Sequence, residues 1–230
     1  MKELNQFLVN GQAFHTQDYF QYHRYRIQKT IDKLKTMGAK KIVEVGGHPW
    51  AMTAGLIEVP GFELCATVSA EELTRWPDDI GLKRQNFQIK IENRNKAEFA
   101  NYSANIERLI FDLKEKPDTV LACEIIEHLH RSPHVMLLNI NHWLPIGGKM
   151  LITTPNGAQF ANPFRRKSPT PAYRSNIYER HCYVYTLGEL ADLVGLCGFK
   201  IKEIGYWAVI ERHSPSSIYT LLSKFPLQYF

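Results

Sequence analysis

The sequence predicts an α/β protein built on an open, doubly wound, mostly parallel sheet. Short apolar runs alternate with helix-periodic stretches along most of the chain. The first run, Lys41-Ile42-Val43-Glu44-Val45, breaks at Gly46-Gly47, and Pro49 follows where the first turn of a helix is expected. Paired glycines at that bend let a ligand approach the main chain, and a helix beginning near Pro49 offers free N–H groups.

In chain order, residues 1–38 read as an N-terminal helical segment. From Asp18 to Met37, Tyr19, Tyr22, Tyr25, Ile27, Ile31 and Leu34 recur at helical spacing, and Gly38 ends the run. The aromatic-basic part of this helix either packs on the sheet or sets His23 or Arg24 against a carboxylate ligand. After the Gly-Gly bend, Pro49 to Glu58 continue as a helix with Met52 and Leu56 on one side, closed by Pro60-Gly61. Phe62 to Val68 is a buried strand that completes a βαβ unit. Trp76 to Ala104 reads as irregular with one or two strands, and Asn101 to Glu107 ends a third strand at the same edge.

Pro117 to Cys123 forms the next strand, and Glu124-Ile125-Ile126-Glu127-His128-Leu129 opens a helix. Ser132-Pro133 starts another helix, which carries Leu137, Ile140 and Trp143. Gly147-Gly148 leads into a fifth strand, Lys149 to Thr154. Residues 157–185, rich in Pro, Arg, Asn and Tyr and without periodicity, read as a lid or substrate loop. Thr186 caps a helix from Leu187 to Leu196 that ends at Gly198, and two closing strands are expected from Phe199 to Ile210 and Ser217 to Ser223.

At 230 residues and 44% hydrophobic content, the chain is expected to fold as one domain, 1–230. No apolar run approaches the ~20 residues of a membrane span, and Met1 to Asn5 does not open a signal peptide, so a cytoplasmic protein without a membrane partner is expected. Cys65, Cys123, Cys182 and Cys197 lack C-x-x-C spacing and read as reduced packing residues. The net charge of +5 permits an anionic substrate, yet no Lys/Arg block marks a nucleic-acid surface. Nothing in the sequence sets an oligomeric state.

Four pieces together resemble the class I S-adenosylmethionine-dependent methyltransferases, with their Rossmann-like, seven-stranded sheet. These are Val43-Glu44-Val45-Gly46-Gly47, the Asp118 to Leu129 segment, Leu144 to Lys149 leading into Thr153-Thr154-Pro155-Asn156, and Arg180-His181 through Tyr185-Thr186 with Gly198-Phe199. Asn105-Ile106-Glu107 and the Tyr185-Thr186 helix start are similar to a subgroup found in polysaccharide and natural-product pathways. The resemblance implies S-adenosyl-L-methionine as cofactor. Glu44, Gly46 and Gly47 would line its methionine and ribose side, Ser69 would face the ribose hydroxyls, Asn105 with the Ile106 amide would face adenine, and Cys123 and Glu124 would border the sulfonium. Two departures stand out. The family's Gly-x-Gly-x-Gly is here Gly46-Gly47-His48-Pro49-Trp50, and Ser69 replaces the usual acid, for which Glu71 or Glu72 are the nearby substitutes.

Methyl transfer to an alcohol needs a base, and His181, in the lid, is the candidate, with the alternative that it only bonds within its loop. Glu124, Glu127 and His128, at i, i+3 and i+4, would share one helical face. Such a set suits a magnesium- or manganese-like ion with His181 as a fourth ligand, resembling the small-RNA 3′-terminal 2′-O-methyltransferases. Without metal, Glu124 favours the helix start while Glu127 and His128 make structural hydrogen bonds, and that metal-free arrangement is the reading adopted. The expected activity is O-methylation of a sugar or small hydroxylated metabolite, with Glu124 and His128 assisting His181. Its rivals are the metal-dependent RNA enzyme and a non-catalytic scaffold.

Overall fold

The computed structural model describes residues 6–15, 17–69, 82–91, 95–129, 133–155, 182–183 and 185–205. The described residues begin with a hairpin, β1 (Gln6–Val9) and β2 (Gln12–His15), rather than with helix. Asn10 and Gly11 both take positive φ at the turn, the conformation that two-residue hairpins favour and that Asn-Gly supplies readily. Helix α1 (Gln17–Met37) follows, so the expectation of a helical segment over 1–38 holds only from Gln17. It closes on Gly38 as anticipated: with φ 71, Gly38 directs its amide to Lys35 O while Ala39 N reaches Leu34 O.

The rest runs β3 (Lys41–Val45), α2 (Ala51–Ile57), β4 (Glu63–Ser69), β5 (Lys83–Ile91), β6 (Asn95–Ser103), β7 (Thr119–Cys123), α3 (His134–Trp143), β8 (Lys149–Thr153) and α4 (Leu187–Leu196). One eight-stranded sheet has the order β2-β1-β5-β6-β4-β3-β7-β8. The four pairings from β6 to β8 are parallel, and the three from β2 to β6 are antiparallel. The seven-stranded expectation therefore becomes eight among the described residues, because β1, β2 and β5 extend the edge beyond β6. Residues 199–205 form no strand, and the rest of the two expected closing strands lies outside the described residues.

Helices cover both faces. Ile27, Ile31 and Leu34 of α1 pack with Trp50, Met52, Ala54 and Leu56 of the α2 region over Ile42, Phe7, Ile89 and Ile91. On the opposite face Met136, Leu137, Ile140 and Trp143 of α3 join Leu193 and Val194 of α4 over Val43, Val45, Val68 and Val120. The strict alternation of Ile42 and Val43 between the two clusters is the period-two signature of a strand buried on both sides. No helix among the described residues is long and apolar enough to cross a membrane.

Two local expectations are corrected. Pro49 does not sit in the first helical turn: α2 starts at Ala51, after Trp50 has turned through a left-handed conformation at φ 68. The Trp50 ring is the reason, for it is 3% exposed and packs on Phe87 and Phe99 at 5.5 and 6.4 Å. Nor do Glu124 to Leu129 open an α-helix. Glu124, at φ 52, continues the β7–β8 ladder through its amide to Thr153 O at 2.9 Å, and only Ile126–His128 form a 3₁₀ turn. Burying Ile125 and Ile126 together, at 6% and 0% exposure, requires that abrupt change of direction.

Candidate active site

The parallel strands bring Gly46, Ser69, Asn105, Cys123 and Glu124 to one rim of the sheet, just at or beyond their carboxyl ends. β3 lies where chain order reverses, with β4 on one side and β7 on the other, which is where open α/β sheets place ligands. Gly46 takes φ 80, and a Cβ there would meet Ile125 Cδ1 at 3.0 Å. A Cβ on Gly47 would strike the Trp50 ring at 3.0 Å, so the second glycine makes room for the chain's own indole. His48 is exposed.

Beneath this rim lies Glu44, 3% exposed and on the same strand face as Ile42. Thr53 Oγ1 donates to its Oε2 at 2.5 Å. Burial pushes the Glu44 carboxyl up to about 7, an effect the Thr53 bond only partly offsets. Ser69 is 5% exposed at the end of β4. Asn105 Oδ1 accepts from Glu107 N at 3.1 Å and its carbonyl from Arg108 N and Leu109 N, so it shapes the turn after β6; Ile106 is fully buried. Cys123 is half-buried, with its thiol pushed up to about 12 by burial.

The second part of the rim is a pair of acids. Thr153 Oγ1 donates to Glu124 Oε1 at 2.8 Å, and Thr154 Oγ1 donates to Glu127 Oε2 at 3.0 Å. Glu124, Glu127 and His128 do not share an α-helical face as expected: Glu124 precedes the 3₁₀ turn, and Glu127 is 0% exposed while the His128 side chain is 35% exposed. Burial, reinforced by Glu124, raises Glu127 to about 8. Its Oε1 has no hydrogen-bond donor among the described residues and lies 3.9 Å from His128 Nε2. The Glu127 carbonyl receives the amides of Cys182 and Tyr183, and Cys182 Sγ reaches the His128 carbonyl. The end of the expected lid is thereby fastened to the acid turn.

Beyond it, Tyr183 packs against Tyr185 at 4.5 Å and donates to Glu189, the residue that forms the capping box of α4 with Thr186. His181, Glu71 and Glu72 lie outside the described residues. Among those described, no group of three or more His, Cys, Asp or Glu is arranged to hold a metal.

One residue at this rim escaped sequence reasoning. Arg26 of α1 is 8% exposed, and its Nη1 stands 3.6 Å from Glu124 Oε1. Sequence reasoning singled out its neighbours His23 and Arg24, yet Arg24 is exposed. Burial, with Arg26 adding to it, lowers His23 to about 4, so its imidazole is neutral at physiological pH. The available signal was position: Arg26 precedes Ile27 on the flank of the apolar stripe.

A doubly wound sheet with glycine, hydroxyl, amide and carboxyl groups along its switch-point rim defines a nucleoside-cofactor-binding α/β protein. Residues 19–204 match the family described as Methyltransferase domain. The chain belongs to that family: it is an S-adenosylmethionine-dependent methyltransferase with the class I fold. It is similar to the methyltransferase domain of a bacterial Hen1, CtHen1-CN, at 16% identity over 79% of this chain and 89% of that one, with a TM-score of 0.47. It is also similar to human N-acetylserotonin methyltransferase solved with SAM, at 11% identity, covering 70% of this chain and 42% of that one, with a TM-score of 0.44. PigF with SAH is 11% identical, covering 80% and 64% respectively, with a TM-score of 0.43. No curated protein matches the chain.

Proposed function

We propose that the chain O-methylates a sugar or another small hydroxylated metabolite, with His181 as the base and Glu124 and His128 assisting it. The observation that supports a hydroxyl acceptor is Glu127 Oε1: a buried carboxyl oxygen without a donor among the described residues, next to Thr154 and under the segment of Cys182 and Tyr183. A hydroxyl arriving there supplies the missing hydrogen bond, whereas an apolar acceptor leaves it unmet. Cys182, tied to the acid turn, directly follows His181 in the chain, which supports giving His181 the proton.

The rim fits the cofactor in its donor set. Gly46 presents bare backbone at the switch point, and Ser69, Asn105 and the Ile106 amide offer hydroxyl and amide partners on neighbouring strand ends. Glu44, Gly46, Gly47, Ser69, Asn105, Ile106, Cys123 and Glu124 would hold S-adenosylmethionine. When bound, it supplies an electrophilic methyl group. The protein's part is to align the acceptor oxygen and take its proton.

The test incubates the purified chain with methyl-labelled cofactor and a panel of free sugars, nucleotide sugars, phenols, amines and short RNAs. Label in an ether of a small hydroxylated acceptor is expected. Label confined to RNA ends and abolished by chelation would replace this reading with the metal-dependent RNA enzyme. Absence of both product and binding heat would leave the scaffold.

A further inference from the structure

Arg26 reaches the rim from a different layer of the fold than every residue assigned above. α1 packs on the sheet through Ile27, Ile31 and Leu34, and this packing carries Arg26 to the end of β7. There its guanidinium faces Glu124, whose left-handed backbone is fixed by the bond from its amide to Thr153 O and whose carboxylate is fixed by Thr153 Oγ1. Among the described residues, the other ionisable groups at this point are Glu44 and Cys123 on β3 and β7, Glu127 and His128 on the acid turn and His23 on α1. Of these, His23 is neutral and Glu127 is buried. Arg26 is the cation that the structure sets against the Glu124 carboxylate, 3.6 Å away.

The methyl donor carries a positive charge at sulfur that the product, a thioether, lacks. A lone carboxylate beside that charge stabilises the bound donor more than the transition state, in which the charge is being dispersed, and such ground-state binding does not help turnover. We propose that Arg26 is a positioning residue that acts as the counter-ion of Glu124, balancing the rim so that it does not hold the cationic donor at the expense of its neutral product. This rests on the placement of Glu124 at the sulfonium given under Proposed function.

Because the acceptor is unidentified, the test reads binding of S-adenosylmethionine and S-adenosylhomocysteine to the full chain by calorimetry, with melting temperature alongside. The measured quantity is the preference for donor over product. At an effective dielectric near 20, one unit of charge roughly 10 Å away is worth about tenfold or more in that preference. Arg26→Met is expected to raise it about tenfold, Glu124→Gln to lower it about tenfold, and the double variant to return near wild type. Arg26→Lys, which keeps the charge, is expected to stay near wild type. A purely structural Arg26 would weaken both ligands equally and leave the preference unmoved, and that result overturns the proposal.

Should Arg26→Met not fold, Glu124→Gln is compared with the double variant, in which the neutral pair removes the buried-charge problem. A double variant no different from Glu124→Gln overturns the proposal as well. If Glu124→Gln leaves the preference unchanged, the placement of Glu124 at the sulfonium fails. If Glu124→Gln shifts it and neither Arg26 comparison does, only the counter-ion role fails. A wild-type chain that binds neither ligand removes the cofactor site itself.

Discussion

Thr53 Oγ1 donates its 2.5 Å hydrogen bond to Glu44 Oε2 inside the layer between β3 and α2, so a polar bond joins that strand to the helix that follows it. Thr53→Val keeps the shape and removes the donor. It is expected to cost about 1 to 3 kcal/mol, the penalty for a buried polar group left unmet. Glu44→Gln, which keeps a carbonyl for Thr53 to donate to, is expected to cost less. Urea unfolding of both variants compares them directly, and an equal loss would contradict this account of the pair.

Stability should fall as pH rises from about 4.5 to about 8. Glu44 and Glu127 are raised from 4.5 to about 7 and about 8, so each binds its proton more tightly in the folded chain. Their contribution is fully present below the unfolded value and is lost as pH climbs through the folded value. His23, lowered from 6.5 to about 4, works oppositely and adds stability as pH rises between those values. Between pH 6.5 and 8 the two glutamates alone act among these three groups, over about half a unit for Glu44 and about one and a half for Glu127, and a decline of about 3 kcal/mol or less is expected at about 1.4 kcal/mol per pKa unit. Glu127→Gln should flatten the curve over that window in denaturant titrations.

Gly47→Ala forces a methyl against the Trp50 ring and is expected to destabilise by about 1 to 3 kcal/mol. In a Trp50→Leu background, already weakened by loss of the indole, the added cost of the methyl should shrink. Thermal melts of the two single variants and the double variant would show this non-additivity. Strict additivity would mean that the ring is not what excludes the Cβ.

His181→Ala is expected to reduce turnover of an identified hydroxyl acceptor by about 10²-fold or more while cofactor affinity stays near wild type. Steady-state rates with calorimetry separate the two quantities. An unchanged rate would remove His181 from the chemistry.

The parallel half of the fold is legible in the sequence because strands buried on both faces leave continuous apolar runs such as Thr119 to Cys123. The antiparallel edge is harder to read. Residues 83–86 of β5 are exposed, and only Ile89 and Ile91 keep the apolar alternation deep in the core. In the first hairpin Asn10-Gly11 is a strong local signal, but flanking strands of four residues give it little pattern to confirm. At the site, the Gly-Gly bend and the acid turn are readable as residues, not as conformations. Spacing suggests a helical face for Glu124 and Glu127, while the need to bury Ile125 and Ile126 imposes a sharper path. Arg26 is opaque for a related reason: a buried guanidinium makes sense only once Glu124, distant in sequence, is beside it.

Helix α1 leaves the outermost strand and delivers the chain to the central one, packing on β1 and β5 through Ile27 and Ile31 on the way. At 21 residues it is about 32 Å long. The hairpin thus shares a packed layer with the helix that carries Arg26 to the rim. A disturbance that tilts this helix at the periphery would displace the guanidinium near its other layer of contacts, so residues remote from the cofactor can alter how it is gripped without touching it.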